Sequence, residues 1–326
     1  MNHVSGRRFL PLILLFIVFC STWRECAARQ NSGTTDQEVV KPVKIGLQGG
    51  ANSLGAMRTA AYAWVPPDVN ESMPPVDPQA TCSLSNVLDR AGRQLQQLAD
   101  NLEHFRATET IQHQKVSRSG QLGRTETARF DYIVSLTTMP GGSLNVEEHR
   151  QGYRSSDQFP DDVETYDVPT LVFIFYPTYA KNFEMQCEGL GKWRGQPAWQ
   201  IHFEQKDGTS PMSVLNIGEH SFALRLRGRA WILADSYQIT RLETDLQQTI
   251  PKIRLRLQHE DIEYRPVYFH SGNINMWLPS SAELYMDFVG HRFYRRQSFT
   301  DFELFSITSH QVFGPPIADG PKQKKK

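Results

Sequence analysis

The stretch "GRAWILADSYQITRLETDL", residues 228–246, decides the fold class that we predict for this chain. Two runs of alternating apolar and polar residues flank Ala234-Asp235-Ser236, a sequence typical of a tight turn. Trp231 stands just before the turn, and charges of both signs follow it. The pattern predicts a β-hairpin without a catalytic group. We therefore expect the hairpin to belong to a binding fold.

Alternation with a period of two recurs along much of the chain. It predicts a mainly β (α+β) protein, with one large, curved antiparallel sheet of about 10–11 strands that has an apolar and a wet face. We expect the sheet to form an unclosed half-barrel. The segments that carry the alternation are 129–136, 199–203, 222–232, 253–257 and 283–288.

Two segments depart from this period. An apolar stripe with spacings of four and three predicts a long N-terminal amphipathic helix of about 20 residues, which we expect to pack on its own domain. The segment 168–183, "VPTLVFIFYPTYAKNF", is continuously apolar and framed by Pro169 and Pro177. It favours a short helical segment across the apolar sheet face, with a buried central strand as the alternative. The stripe consists of Leu84, Leu88, Ala91, Leu95, Leu98, Leu102 and Phe105.

The N-terminus has the pattern of an export signal. Arg7-Arg8 precede an apolar run from Phe9 to Phe19, and Cys26-Ala27-Ala28 offers small residues for cleavage. The run is shorter than the roughly 20 residues that cross a bilayer. We predict a signal peptide over 1–28, with an uncleaved N-terminal anchor as the alternative.

Composition divides the rest of the chain. Residues 29–80 are rich in breakers and predict a disordered tether, whereas the folded β domain is expected over 81–313. The last segment, 314–326, ends in "KQKKK" and is expected to be a basic flexible tail. Removal of the signal leaves Cys82 and Cys187, which would pair as a disulfide in an oxidising compartment. Two separate buried thiols are the alternative, because sequence does not show proximity.

Several function classes find no support in the sequence. The formal net charge is zero, so no global field attracts nucleic acid. The chain has no HExxH, GxSxG, P-loop or CxxC motif, and we expect neither an enzyme nor a cofactor or metal site. The adjacent acids Glu260-Asp261 are predicted to stand at a strand end or turn.

The opening hairpin resembles the strand-turn-strand of outer-membrane lipoprotein carriers, LolA and LolB, and of the related sensor RseB. "NINMWLPSSAELYMDF", residues 273–288, looks like a second copy of it. The chain as a whole also resembles a group of bacterial exported proteins. The carrier resemblance spans 82–313 in element order and implies an unclosed β-barrel over helices, with an apolar cavity for acyl chains. The series Arg225, Arg227 and Arg229 has no counterpart in that pattern.

The resemblance implies a non-enzymatic, periplasmic or envelope-associated binding or carrier protein for a lipid, acyl chain or other hydrophobic ligand. The alternative is an RseB-like sensory or protein-interaction module with an envelope protein partner. Peripheral membrane contact is compatible with both. The aromatic residues either line the ligand cavity or form plain core, since the two are built from the same residue types. The candidate lining residues are Leu171, Phe173, Phe175, Tyr176, Tyr179, Phe183, Trp199, Trp231 and Trp277.

Overall fold

The alternating segments form a large antiparallel sheet in the computed structural model, which describes residues 64–153, 159–160, 163–217, 220–270 and 273–305. The predicted signal peptide and basic tail lie outside these ranges, as does the predicted tether up to residue 63. Within them, no helix is long and apolar enough to cross a membrane.

Twelve strands are present in the described ranges. They are β1 (His104–Val116), β2 (Leu122–Thr138), β3 (Leu144–Gly152), β4 (Phe183–Trp193), β5 (Gln196–Gln205), β6 (Ser213–Ile217), β7 (His220–Leu224), β8 (Leu226–Leu233), β9 (Ile239–Leu246), β10 (Leu255–Phe269), β11 (Ile274–Phe288) and β12 (His291–Leu304).

Ten of these strands form one sheet in the order β3-β2-β1-β12-β11-β10-β9-β8-β5-β4. All neighbours are antiparallel, and β3 and β4 form the two edges. The predicted fold class is therefore confirmed: the protein is mainly β with an unclosed sheet. β6 and β7 form a separate two-stranded sheet. The run 222–232 is accordingly divided at Arg225, because its first part pairs with β6 and its second with β5 and β9.

The opening hairpin forms as predicted. β8 and β9 pair antiparallel, with Ala230 opposite Leu242 and Trp231 opposite Arg241. Ala230 and Leu242 belong to the main core, whereas Trp231 belongs to a smaller cluster. We call the face that carries Ala230 the inner face and the face that carries Trp231 the outer face.

The predicted second hairpin is wrong, since residues 274–288 form the single strand β11. Glu263 pairs with Ser281 but Tyr264 pairs with Pro279, so Ser280 is the extra residue of a β-bulge. A bulge accommodates a proline, which cannot donate to the ladder, inside an otherwise continuous strand. The Pro-Ser-Ser sequence therefore marks a bulge and not a turn.

Helices cover one half of the inner face. α1 (Leu84–Asn101) occupies most of the predicted amphipathic helix. The segment 168–183 is helical, with a 3-10 helix at Leu171–Phe175 and α2 at Pro177–Ala180. Gly92 leaves room for the close approach of these elements, since a Cβ there would lie 3.2 Å from Cγ of Pro177.

Order begins before the predicted tether boundary at residue 80. Residues 64–80, which we call the strap, pack on the outer face. Val69 is only 2% exposed, and its N–H donates to Asp245. The Arg229 guanidinium pairs with Glu188 and donates to the carbonyl of Val69. The segment is held by such polar contacts, for which hydrophobic periodicity carries no signal.

The disulfide prediction is confirmed. Cys82, just before α1, is bonded to Cys187 of β4, with their Cα atoms 6.5 Å apart. The bond therefore ties the start of the helical layer to an edge strand of the sheet.

Candidate functional site

The aromatic segment fills the inner face instead of lining a space. Leu171, Phe173 and Phe175 are buried in the main core. Phe175 and Phe183 both contact Phe203 edge-on, with ring centroids 5.7 and 5.8 Å apart. The free space beside Phe173 amounts to about 10 Å³. This half of the inner face is a packed core.

The remaining aromatic candidates are dispersed. Tyr176 is buried, and the hydroxyl of Tyr179 accepts a hydrogen bond from the Leu144 N–H. Trp199 is partly buried against the core, and Trp277 borders a cleft of about 80 Å³ beside α1. The structure does not bring these side chains together around one cavity.

Trp231 lies on the opposite side of the sheet from Phe173. It packs against Trp193, and the guanidinium of Arg241 lies 4.3 Å from its ring centroid. Successive side chains of a strand point to opposite faces, so Trp231 points away from the inner face, which carries Ala230. Trp231 therefore cannot line a cavity on the inner face. It belongs to an outer-face aromatic and arginine cluster.

A cavity of about 510 Å³ lies on the inner face, between the large sheet, the small sheet and the segment 163–167. We call it the β6–β7 cavity. It contains none of the nine candidates. Its walls are partly apolar and partly polar, and the apolar side chains that form them include Leu215, Leu224, Leu284, Met286 and Phe288.

One wall of the β6–β7 cavity carries unpaired polar groups. Glu260 of β10 is only 5% exposed, and no residue in the described ranges hydrogen-bonds to its carboxyl group. Oε1 of the neighbouring wall residue Gln258 is buried without a partner. Burial, together with the nearby carboxyls of Asp167 and Glu148, raises the pKa of Glu260 to about 8. Glu260 is therefore mostly protonated at pH 7 in the unliganded protein.

Asp167 provides a second acid at the rim of the cavity. Burial raises its pKa to about 6, against the hydrogen bond that Ser213 donates to it. Its backbone takes the left-handed conformation, with φ at 81°, and its N–H donates to Glu148. The hydrogen bond to Glu148 holds the segment 163–167 over β3.

The arginines of the inner face are engaged elsewhere. Arg150 donates from Nε to Glu109 at 2.6 Å and also pairs with Glu148, and all three side chains are buried. Arg295 donates to the carbonyls of Pro160 and Val163. The residues that line the β6–β7 cavity include two Glu and one Asp but no Lys, Arg or His.

A β-bulge explains why the sequence did not reveal this wall. Leu255 pairs with Phe288, but Leu257 pairs with Asp287, so the register shifts by one residue near the start of β10. A shift of one residue exchanges the two faces of a strand. Contrary to the prediction, Glu260 and Asp261 lie within β10, on opposite faces. The sequence does carry one signal for the position of Glu260. It lies two residues before the core residue Ile262, and residues two apart in a strand share a face.

The outer face contains a buried His–carboxylate pair. Nδ1 of His259 lies 2.8 Å from Oδ1 of Asp245, and this contact raises the pKa of His259 despite the opposing effect of burial. The strap covers the pair, because the Val69 N–H donates to the other oxygen of Asp245. The pair therefore belongs to the attachment of the strap. In the described ranges, no group of three or more His, Cys, Asp or Glu could hold a metal ion.

Comparison with known proteins gives similarity in fold. No family model matches the chain, and no curated protein sequence matches it. Among solved structures, a DUF1329 family protein from Desulfovibrio piger is 9% identical, with a TM-score of 0.41, over 70% of this chain and 96% of that protein. Two further solved structures are also similar to this chain, at the level of fold alone.

These two are a LolA superfamily protein from Nitrosomonas europaea and a putative outer membrane lipoprotein-sorting protein domain from Vibrio parahaemolyticus. The first is 8% identical with a TM-score of 0.36, over 70% of this chain and 96% of that protein. The second is 10% identical with a TM-score of 0.37, over 70% of this chain and 95% of that domain.

Proposed function

We propose that the chain is a non-enzymatic binding or carrier protein for a lipid, acyl chain or other hydrophobic ligand, which it holds in the β6–β7 cavity. The observation that supports the proposal is the cavity itself. Its volume of about 510 Å³ lies within the roughly 300–1,000 Å³ that small-ligand sites occupy. Apolar side chains from both sheets form its walls, as a hydrophobic ligand requires.

The cavity follows from how the inner face is covered. α1 and the 3-10 helix pack against one half and fill it with side chains. Among the described residues, two five-residue strands and the segment 163–167 stand over the other part. These short elements supply too few large side chains to fill the space, so the apolar face of β11 remains accessible there.

Export is part of the proposal. The basic and apolar residues of 1–28 support a cleaved signal, and the Cys82–Cys187 bond supports an oxidising compartment such as the periplasm. Sequencing the N-terminus of the secreted protein tests cleavage after Ala28. A mature chain that still begins at Met1 would favour the anchor instead.

Filling the cavity tests the binding site. Leu215→Trp places a larger side chain in the cavity from the small sheet, and we expect it to weaken binding of a fluorescent acyl probe at least tenfold. Tyr285→Trp is the matched control, since Tyr285 of β11 faces away from the cavity. Equal affinity in wild type and Leu215→Trp would place the ligand elsewhere. Absence of probe binding in wild type would favour the protein-interaction alternative.

A further inference from the structure

The polar wall of the β6–β7 cavity presents polar groups that lack hydrogen-bond partners. The Glu260 carboxyl has no hydrogen-bond partner in the described ranges, and Oε1 of Gln258 is buried without one. Both residues lie on β10 and line the same cavity. They are two positions apart in the strand, so both side chains point to the inner face. Buried polar groups are nearly always hydrogen-bonded in folded proteins. A set of this kind is a place where the polar end of a ligand can find hydrogen-bond partners.

The charges around this wall favour a positively charged ligand. Glu164 and Asp167 line the cavity from the segment opposite, Glu148 of β3 lies close enough to raise the pKa of Glu260, and Asp261 flanks Glu260 on the outer side of β10. The nearby cations are committed to other partners. These are Arg150, which is paired with Glu109 and Glu148, and Arg295, which is bonded to backbone carbonyls.

An anionic head group is disfavoured at such a wall, since its charge would meet several carboxyls without a compensating cation. A hydroxyl group has a single donor and leaves the second acceptor unpaired. An ammonium group has three donors and a positive charge, so it can balance an ionised carboxylate and still donate to an amide oxygen. Of the three head-group classes, the ammonium fits the wall best.

We propose that the ligand of the β6–β7 cavity is a cationic amphiphile, whose protonated primary amine binds at Glu260 and Gln258 while its hydrocarbon chain lies against Leu284, Met286 and Phe288. This inference rests on the proposed function and adds the polar end of the ligand to it. Binding ionises Glu260, and the carboxyl proton passes to solvent as the ammonium group takes its place.

Three probes that differ only in the head group test the inference: decylamine, decanol and decanoate. Each is titrated into the full chain at pH 7 by displacement of a neutral fluorescent probe from the cavity. We expect decylamine to bind at least tenfold more tightly than decanol, and decanoate to bind most weakly. Decanol or decanoate binding as tightly as decylamine would overturn the cationic head group while leaving a hydrophobic cavity. No displacement by any of the three would overturn the cavity assignment as well.

The pH dependence supplies a second readout. The amine remains protonated below pH 9, since its pKa resembles the value of about 10.4 for a lysine side chain. Only the ionised form of Glu260 pairs with it, so the affinity for decylamine should rise between pH 6 and pH 8 and level off above the pKa of about 8. The affinity for decanol should not rise in that interval, and a flat decylamine profile would contradict the role of Glu260.

Glu260→Gln removes the acid and keeps the side-chain size. We expect its affinity for decylamine to fall to that for decanol, with the decanol affinity unchanged within a factor of about two. Glu283→Gln is the matched control, because it removes one negative charge from the outer face of β11. If Glu260→Gln prefers decylamine over decanol as strongly as Glu283→Gln does, Glu260 does not bind the amine.

Discussion

At the scale of single residues, Glu260 owes its chemistry to its position more than to its type. A glutamate on a solvated strand face is ionised at pH 7, with a pKa near 4.5. In the β6–β7 cavity, burial and the neighbouring carboxyls of Asp167 and Glu148 raise this pKa to about 8. A group that folding makes harder to ionise destabilises the protein whenever the unfolded chain has already lost the proton.

Glu260 should therefore make a contribution to the free energy of unfolding that depends on pH. Its stabilising contribution is fully present below pH 4.5 and is lost as the pH rises to about 8, because the folded state retains a proton that the unfolded state releases. Glu260→Gln removes this component. Urea unfolding should show the variant gaining stability relative to wild type from pH 5 to pH 8, by a few kcal/mol at most. Parallel pH profiles would contradict the raised pKa.

At the scale of elements, alternation predicts strands well and their faces less well. The hairpin of β8 and β9 could be predicted because its apolar parity runs unbroken from Leu226 to Ile232. Parity fails at the bulge near Leu255, where one added residue exchanges the faces beyond it, whereas the core residues of β11 keep even parity on both sides of Ser280. No residue type demands the bulge near Leu255. The alternation of residues 253–257 therefore places Glu260 on the wrong face, and only its shared parity with Ile262 indicates the inner one.

The arginines without a counterpart in the carrier pattern have a structural role. Arg227 pairs with Asp68, and Arg229 donates to the carbonyls of Ser72 and Val69. Both stand at outer-face positions of β8. They attach the strap to the sheet, so we expect the strap to contribute to the stability of the fold.

Removal of the strap should therefore destabilise the domain. A chain that begins at Thr81 loses the buried side chain of Val69, the two carbonyl acceptors of Arg229 and the Val69 N–H that donates to Asp245. Burial of a valine side chain contributes about 1.5–3 kcal/mol, and a hydrogen bond to a charged group contributes about 1.5–3 kcal/mol. We expect its melting temperature to lie roughly 5 °C or more below that of a chain that begins at Trp64, at about 2–4 °C per kcal/mol for this size. Equal melting temperatures would return residues 64–80 to the role of a tether.

At the scale of the whole molecule, the inner face divides into a packed half and a hollow part. The sequence predicts the sheet, the helices and the apolar face, but cores and cavities are built from the same side chains. What separates them here is which elements the chain places over each part. α1 and the aromatic segment cover one half, whereas the short strands β6 and β7 stand over the cavity. Such long-range placement leaves no local pattern in the sequence.

This division predicts separate effects on stability and binding. Phe173 is 3% exposed in the packed half, so Phe173→Ala should cost about 3–5 kcal/mol of unfolding free energy. Acyl-probe affinity of the folded variant should stay within about twofold of wild type, because Phe173 does not line the β6–β7 cavity. The pair of measurements is urea unfolding and probe titration below the transition. A small stability loss with weakened probe binding would instead make the aromatic segment a lid over the ligand.

The disulfide joins the two layers of the molecule across 105 residues. It ties Cys82, at the start of the helical layer, to Cys187 on the edge strand β4. Closing a loop of this length restricts the unfolded chain and stabilises the fold by about 4–5 kcal/mol in the chain-entropy model. Reduction with dithiothreitol should therefore lower the urea midpoint of the wild-type protein substantially.

The double variant Cys82→Ala, Cys187→Ala isolates this bond from Cys20 and Cys26, which lie outside the described residues. It should unfold at the midpoint of reduced wild type and should not respond to the reductant. If reduction shifts the variant as much as wild type, the stabilising bond involves other cysteines. If reduction shifts neither protein, the disulfide adds nothing to stability. The reason would be that β4 is already held by its ladder with β5 and by the strap contact between Asp77 and Leu190.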